Sequence, residues 1–335
     1  MIALLGEGLR PSKIHRLWSE TLPDFRSGAS WSRSTMSSRC PVWWQREVVE
    51  GMQMNASMDS HQTTIITSAR NCRIVEARKL DQRKHRQRQG RFLVEGLQLL
   101  HMALDAGARP AEVFYCESQF AGAEAAVLLS RFRQTDADLM AVSERVMCAL
   151  SQRDAPQGIV ATFTSFETPL QELQLTGREL VIVLDRLQDP GNVGTLIRTA
   201  DAVGAAAMIL IEPCVDVFDP KTVRSSMGSL FNVPLVRTAD VIKLFGWLRG
   251  KGLRLVGADA QQGEAWGQSL WEGGVALILG NEARGLSEDV RAHLEDWARL
   301  PIVGKAESLN VAVAGGVLMY GWLRANLKKC VGVEG

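Results

Sequence analysis

Three stretches of the sequence place polar side chains directly after apolar strands. The first runs from Asp185 through a Pro-Gly turn into a predicted helix, which Asn192 starts as its N-cap. The apolar side chains of that helix share one face, so Arg198 points away from the core, toward solvent or a partner. A guanidinium in this position can bind a phosphate or stabilise a developing negative charge. Taken alone, an ordinary surface charge accounts for Arg198 more simply.

The second and third stretches are Gly280-Asn-Glu282 and Ser308-Leu-Asn310. Glycine permits close backbone approach to a ligand, and the polar residues that follow Gly280 exceed what a strand-to-helix turn requires. Ligands of parallel α/β sheets bind at the carboxyl ends of the strands. We therefore expect the three stretches to form one site.

Two common nucleotide-binding motifs are absent. The Gly-Lys pair at 304–305 is not a phosphate-binding loop, because Arg299 replaces its first glycine and Ala306 its Ser or Thr. Gly191 and Gly194 give the spacing G-x-x-G and not the dinucleotide fingerprint. A nicotinamide-dependent enzyme is therefore the weaker alternative.

The elements that must carry these stretches form two α/β patterns. Residues 65–164 predict a small domain, 165–178 a linker, and 179–329 a second domain with a parallel sheet covered on both faces. The apolar strands of that sheet are predicted at 180–184, 207–211, 233–236, 254–257, 275–279 and 298–302. Residues 1–57 lack a steady period, and we expect a disordered extension or a native start at Met54 or Met58. The last helix, 310–327, is apolar nearly all round, which together with the outward Arg198 predicts a homodimer.

Composition narrows the class of protein. The chain has 38 Lys and Arg against 37 Asp and Glu, so the net charge of +1 neither excludes nor indicates a nucleic-acid partner. Its six cysteines form no C-x-x-C pair and its five histidines lack metal-ligand spacing, which predicts a cytoplasmic protein and no metal site. The longest apolar run, 309–323, is too short for a membrane span.

Together the three stretches resemble the SpoU-type (TrmH-like) family of SPOUT RNA methyltransferases. The resemblance covers about 179–327 and rests on Asn192 with Arg198 and on the two motifs at 280–282 and 308–310. It implies an α/β knot, a parallel sheet tied in a deep trefoil knot, preceded by a small α/β RNA-binding domain. It also implies methyl transfer from S-adenosyl-L-methionine to a ribose 2′-hydroxyl of RNA.

The resemblance assigns roles to individual residues. Gly280, Leu300 and Leu309 are expected to bind S-adenosylmethionine, largely through backbone atoms. The expected catalytic or RNA-positioning residues are Asn192, Arg198, Glu282, Ser308 and Asn310. Because a guanidinium is almost never deprotonated in a protein, we expect Arg198 to stabilise charge and not to act as the base. The proton acceptor stays open.

The front domain resembles an RNA-binding domain related to kink-turn-binding ribosomal proteins, which favours ribosomal over transfer RNA. Its basic run is predicted as one helix, 71–89. These charges either contact RNA or simply form a solvated helix face, and the run taken alone favours neither. The predicted RNA contacts are Arg70, Arg73, Arg83, Lys84, Arg86 and Arg88. A catalytically silent RNA-binding or ribosome-binding protein of the same fold is the remaining alternative.

Overall fold

The computed structural model describes residues 64–120, 122–265 and 268–330, so the expectation for residues 1–57 lies outside the described part. Its elements, in chain order, are α1 (Cys72–Lys79), α2 (Arg83–Gln89), β1 (Arg91–Glu95), α3 (Leu97–Asp105), β2 (Pro110–Tyr115), α4 (Ala123–Phe132), β3 (Asp138–Ala141), α5 (Glu144–Leu150), β4 (Ile159–Thr164), β5 (Leu180–Asp185), α6 (Pro190–Ala202), β6 (Ala207–Ile211), α7 (Pro220–Ser225), β7 (Leu235–Thr238), α8 (Val241–Gly250), β8 (Arg254–Ala258), β9 (Glu264–Ala265), β10 (Val275–Leu279), α9 (Glu288–Arg291), β11 (Asp296–Arg299) and α10 (Val311–Cys330).

The front sheet has the strand order β1-β4-β2-β3, with β4 antiparallel to both of its neighbours. The single basic helix predicted for 71–89 is wrong, because the chain turns between α1 and α2 at the buried Leu80. The carbonyl oxygens of Leu80 and Asp81 accept hydrogen bonds of 2.9 and 2.8 Å from the Arg86 guanidinium, which stabilises this turn. The short β3 was not predicted from the sequence.

The second sheet has the order β7-β6-β5-β10-β8-β11-β9, and all of its strand pairs are parallel. The predicted parallel α/β sheet is therefore confirmed, and the knot stays a prediction. Two predicted strands are displaced: β7 starts after Pro234, and β11 ends before Pro301. Proline has no N–H to donate to a strand ladder, which explains both limits.

Both faces of this sheet are covered, as the continuous apolar strands require. Along β5, Ile182 packs on the α6 and α10 side, whereas Val181 and Val183 pack on the α8 side. Helix α10 lies very close to the sheet, since a Cβ on Gly315 would sit 2.6 Å from Leu196 and 2.7 Å from Leu279.

Helix α10 is not buried on every side within one chain. Leu318, Met319 and Trp322 are buried, but Val313 and Tyr320 are 55% and 52% exposed. The exposed apolar stripe is the feature on which the dimer prediction depends. Among the described residues, no helix is long and apolar enough to cross a membrane.

The two sheets share one hydrophobic core. The Phe92 ring of the front sheet lies 4.5 Å from that of Phe218, and the Phe163 ring lies 5.2 Å from that of Phe231, measured between centroids. The predicted linker also packs, with Leu170 buried against the second sheet. The front sheet therefore packs on the segments that carry Phe218 and Phe231, within a core shared with the second sheet. The domain limits stay predictions.

Candidate active site

The loop after β5 is organised by Asp189. Its carboxylate accepts the Asn192 N–H at 2.9 Å and caps α6, which corrects the predicted N-cap at Asn192. This hydrogen bond, followed by that from Lys221, holds the pKa of Asp189 below its ordinary value. Since Asp189 supplies the cap, the Asn192 side chain is available for other partners.

A hydrogen-bonded series connects the three stretches singled out in the sequence. The Asn310 amide donates to Asn192 Oδ1 at 3.0 Å, and the Asn192 amide donates to Glu282 Oε1 at 3.1 Å. The same carboxylate accepts the N–H groups of Gln188 and Asp189, each at 3.3 Å. Glu282 therefore orients the loop after β5 and fixes the amide of Asn192. We refer to Glu282, Asn192 and Asn310 as the amide relay.

The loop after β10 folds back on itself at Asn281 and Gly285, whose backbones exchange hydrogen bonds of 2.9 and 2.8 Å. A side chain at Gly280 would prevent this, because its Cβ would lie 2.5 Å from the Leu286 nitrogen. The Asn281 side chain accepts the N–H groups of Ala283 and Arg284 and donates to the Arg186 carbonyl at 2.8 Å. Asn281 thus positions Glu282, a role that the sequence reasoning missed.

Arg186 was also missed. It has a left-handed backbone, φ 56°, which is costly for a residue other than glycine. Its guanidinium donates to Asp185, Ser287 and Asp289, and so joins the end of β5 to the start of α9. The hydrogen bond from Arg186, then that from Ser287, lowers the pKa of Asp289 to about 2. The available sequence signal was the pair of acidic residues at the end of β5 and the start of α9, Asp185 and Asp289.

The predicted cofactor residues line one cavity of about 620 Å³, named here the Leu300 cavity. Gly280, Leu300 and Leu309 contribute to it, as do Ser308 and Asn310. Its volume lies within the roughly 300–1,000 Å³ typical of small-ligand sites. Further apolar side chains in its lining suit an adenine ring; they include Ala258, Ala298, Ile302, Val311, Ala314 and Leu318. Such a site fits S-adenosylmethionine held by apolar contacts and backbone groups.

A second cavity of about 1,040 Å³, the Asn192 cleft, adjoins the first and shares Glu282 and Asn310 with it. Pro213 and Arg284 lie on its wall. The amide relay therefore stands between a space suited to the cofactor and a larger polar cleft.

Arg198 is not brought into this group. It is exposed on α6 and lines neither the Leu300 cavity nor the Asn192 cleft. Four of the five predicted catalytic residues thus lie around the two cavities of one chain, and Arg198 lies apart from them.

The predicted RNA contacts divide into two groups. Arg86 is 3% exposed, and its guanidinium is 2.8 Å from Asp216 and 3.4 Å from Asp219, so the prediction that it contacts RNA is wrong. Burial and ion pairing withdraw its charge from solvent.

Two further predicted RNA contacts, Arg73 and Arg88, pair with the carboxylates of Asp138 and Glu76. Both are nevertheless exposed, as are Arg70, Arg83 and Lys84, so Arg86 alone of the six is buried. Within the described residues no cluster of His, Cys, Asp or Glu has metal-binding geometry. Burial raises the pKa of the Cys214 thiol to about 12, so it cannot serve as a thiolate.

Comparisons with known protein families match both parts of the chain. The model of the SpoU rRNA Methylase family matches residues 179–320, and that of the MRM3-like substrate binding domain matches residues 71–161.

Similar proteins cover most of the chain. The 23S rRNA (guanosine(2553)-2'-O)-methyltransferase RlmP of Bacillus subtilis (strain 168) is 32% identical over 76% of this chain and 97% of its own length. The 23S rRNA (uridine(2479)-2'-O)-methyltransferase of Streptomyces viridochromogenes is 30% identical over 78% of this chain and 92% of its own. The crystal structure of an AdoMet-bound rRNA methyltransferase from Sinorhizobium meliloti is 32% identical, with a TM-score of 0.70 over 78% of this chain and 97% of its own.

Proposed function

The chain belongs to the SpoU rRNA methylase family, and from this premise we propose that it transfers a methyl group from S-adenosylmethionine to a ribose 2′-hydroxyl of ribosomal RNA. The observation that carries the proposal is the amide relay, which joins three separate loops beside the Leu300 cavity. The front domain, similar to a substrate-binding domain, and the relatives that act on 23S rRNA favour ribosomal RNA. We also propose a cytoplasmic location, in keeping with the free thiols of four described cysteines.

The reaction is a displacement at a methyl carbon, so the acceptor oxygen must be held in line behind it. When bound, S-adenosylmethionine supplies the electrophilic methyl group. Glu282 fixes the Asn192 amide, and Asn310 is held in turn by Asn192 while its own side chain caps α10 through the N–H groups of Ala312 and Val313. These residues orient the ribose and the loops; the carboxylate of Glu282 is occupied by backbone donors, which favours a positioning role over that of a base.

Arg198 is proposed to act across a subunit boundary. It is exposed and outside both cavities of its own chain, although its type suits stabilisation of the charge that grows on the acceptor oxygen. A third cavity, the Tyr320 groove, runs between α6 and α10 and reaches Asn192 and Asn310. A second copy of the chain packed on this apolar groove would bring its Arg198 to the Asn192 cleft.

The composite site makes a quantitative prediction for mixed dimers. Arg198→Ala and Asn310→Ala should each be inactive alone. When equal amounts of the two variants are dissociated and allowed to reassociate at random, half of the dimers contain one chain of each variant. One of the two sites in such a dimer has both an intact Arg198 and an intact Asn310, so about a quarter of the parent activity should return. No recovery, or a monomer in sedimentation at micromolar concentration, would contradict a shared site.

The reaction itself is tested with radiolabelled S-adenosylmethionine and RNA extracted from a strain that lacks the gene. Transfer to 23S RNA, without comparable transfer to transfer RNA, supports the proposal. RNA binding without methyl transfer to either pool would instead identify a catalytically silent RNA-binding protein.

A further inference from the structure

Helix α2 of the front domain is fixed beside the active-site loop. Its Arg86 pairs with Asp216 and Asp219, and the segment that carries these acids is bonded to the loop after β5, since the Val215 N–H donates to the Leu187 carbonyl at 2.9 Å. Pro213, just before this segment, lines the Asn192 cleft. These contacts therefore connect helix α2, with its exposed cations, to the loop that borders the cleft.

Helix α7 continues from the same segment, with Asp219 as its N-cap. Lys221 and Arg224 are three residues apart on this helix and so lie on one side of it. Lys221 reaches the cleft, where its Nζ is 3.2 Å from Asp189 and its side chain is 57% exposed. Arg224 reaches the front domain, where it donates to Gln152 at 2.5 Å. The two cations thus extend from one domain to the other.

The charges on α7 differ from that of Arg86. Two carboxylates neutralise Arg86, whereas the partner of Arg224 is the neutral amide of Gln152, whose own amide group donates to Asp81. Lys221 pairs with one carboxylate, that of Asp189, which also accepts the backbone N–H of Asn192. A polyanion that follows α2 toward the cleft meets these two cations before it meets the amide relay.

We propose that Lys221 and Arg224 bind backbone phosphates of the substrate RNA where the strand crosses from the front domain to the Asn192 cleft. This inference rests on the proposed function, because it takes RNA as the substrate. Arginine and lysine contacts to phosphate fix register without reading sequence. The two residues are therefore positioning residues that set which ribose enters the cleft.

The test measures binding of the full-length protein to an in vitro transcript of 23S ribosomal RNA at several salt concentrations. For Lys221→Ala with Arg224→Ala, loss of two phosphate contacts should lower the slope of log affinity against log salt by about 1.4 to 1.8. Affinity should fall at least about tenfold. The charge-retaining pair Lys221→Arg with Arg224→Lys should keep most of the slope.

The matched control is Lys243→Ala, which removes one exposed charge from α8 on the opposite face of the sheet. It should leave RNA affinity and slope unchanged, and S-adenosylmethionine affinity should be constant in every variant. An unchanged slope in the alanine pair, an equal loss in the charge-retaining pair, or a parallel loss of cofactor affinity would overturn the inference. A parent protein that neither binds nor methylates RNA would overturn the proposed function as well.

Discussion

Replacement of Arg186 by alanine tests whether this residue stabilises the loops of the active site. Its guanidinium donates at 2.8 Å to Asp185, which is 1% exposed, so the change leaves a buried carboxylate oxygen without that partner. Loss of such a hydrogen bond to a charged group costs about 1.5–3 kcal/mol. For 335 residues the entropy of unfolding is about 0.7 kcal/mol/K, so the melting temperature should fall by roughly 2–4 °C.

Arg186→Gly separates the side chain from the backbone. In the folded state, glycine avoids the cost of the left-handed φ, which is about 1 kcal/mol for other residues. Glycine also raises the conformational entropy of the unfolded chain, which destabilises the fold by a smaller or similar amount. The glycine variant should therefore be at least as stable as the alanine variant in thermal and urea unfolding. Two results would contradict these expectations: a melting temperature of Arg186→Ala equal to that of the parent, or a melting temperature of Arg186→Gly clearly below that of Arg186→Ala.

The same contact predicts a pH dependence. The pKa of Asp289 is lowered to about 2, chiefly by the hydrogen bond from Arg186, so its stabilising contribution is complete above the ordinary pKa near 4. That contribution is lost as the pH falls toward 2. The difference in melting temperature between the parent and Arg186→Ala should thus narrow below pH 4, and a difference that widens there would contradict the assignment.

Three other substitutions give distinct outcomes. Arg198→Ala should abolish methyl transfer while S-adenosylmethionine affinity, measured by calorimetry, stays within about twofold, because Arg198 does not line the Leu300 cavity. Gly315→Ala should destabilise the protein by about 1–3 kcal/mol in urea unfolding, since its Cβ meets buried leucine side chains. Arg86→Met should lower the free energy of unfolding by about 3 kcal/mol, because it leaves the Asp216 carboxylate unpaired. If the variant instead had the stability of the parent and only a weaker affinity for RNA, Arg86 would be an RNA contact after all.

Sequence reasoning identified six of the seven described strands of the second sheet, because a sheet covered on both faces leaves nearly uninterrupted apolar runs, as in β5 and β10. It missed the two-residue strand β9, which is too short to show such a run. It could not supply the amide relay as a connected group, since Asn192 is 90 residues from Glu282 and 118 from Asn310 along the chain. The sequence could not show that Arg86 is buried while its basic neighbours are exposed, because its partners Asp216 and Asp219 lie 130 and 133 residues away along the chain.

We propose that the amide relay serves methyl transfer to a ribose oxygen. The most direct measurement treats 23S RNA from a strain lacking the gene with the parent protein and with Asn310→Ala, then identifies methylated nucleosides by mass spectrometry after digestion. We expect one new 2′-O-methyl nucleoside with the parent and none with Asn310→Ala. A methyl group on a base, or an undiminished yield from the variant, would contradict it.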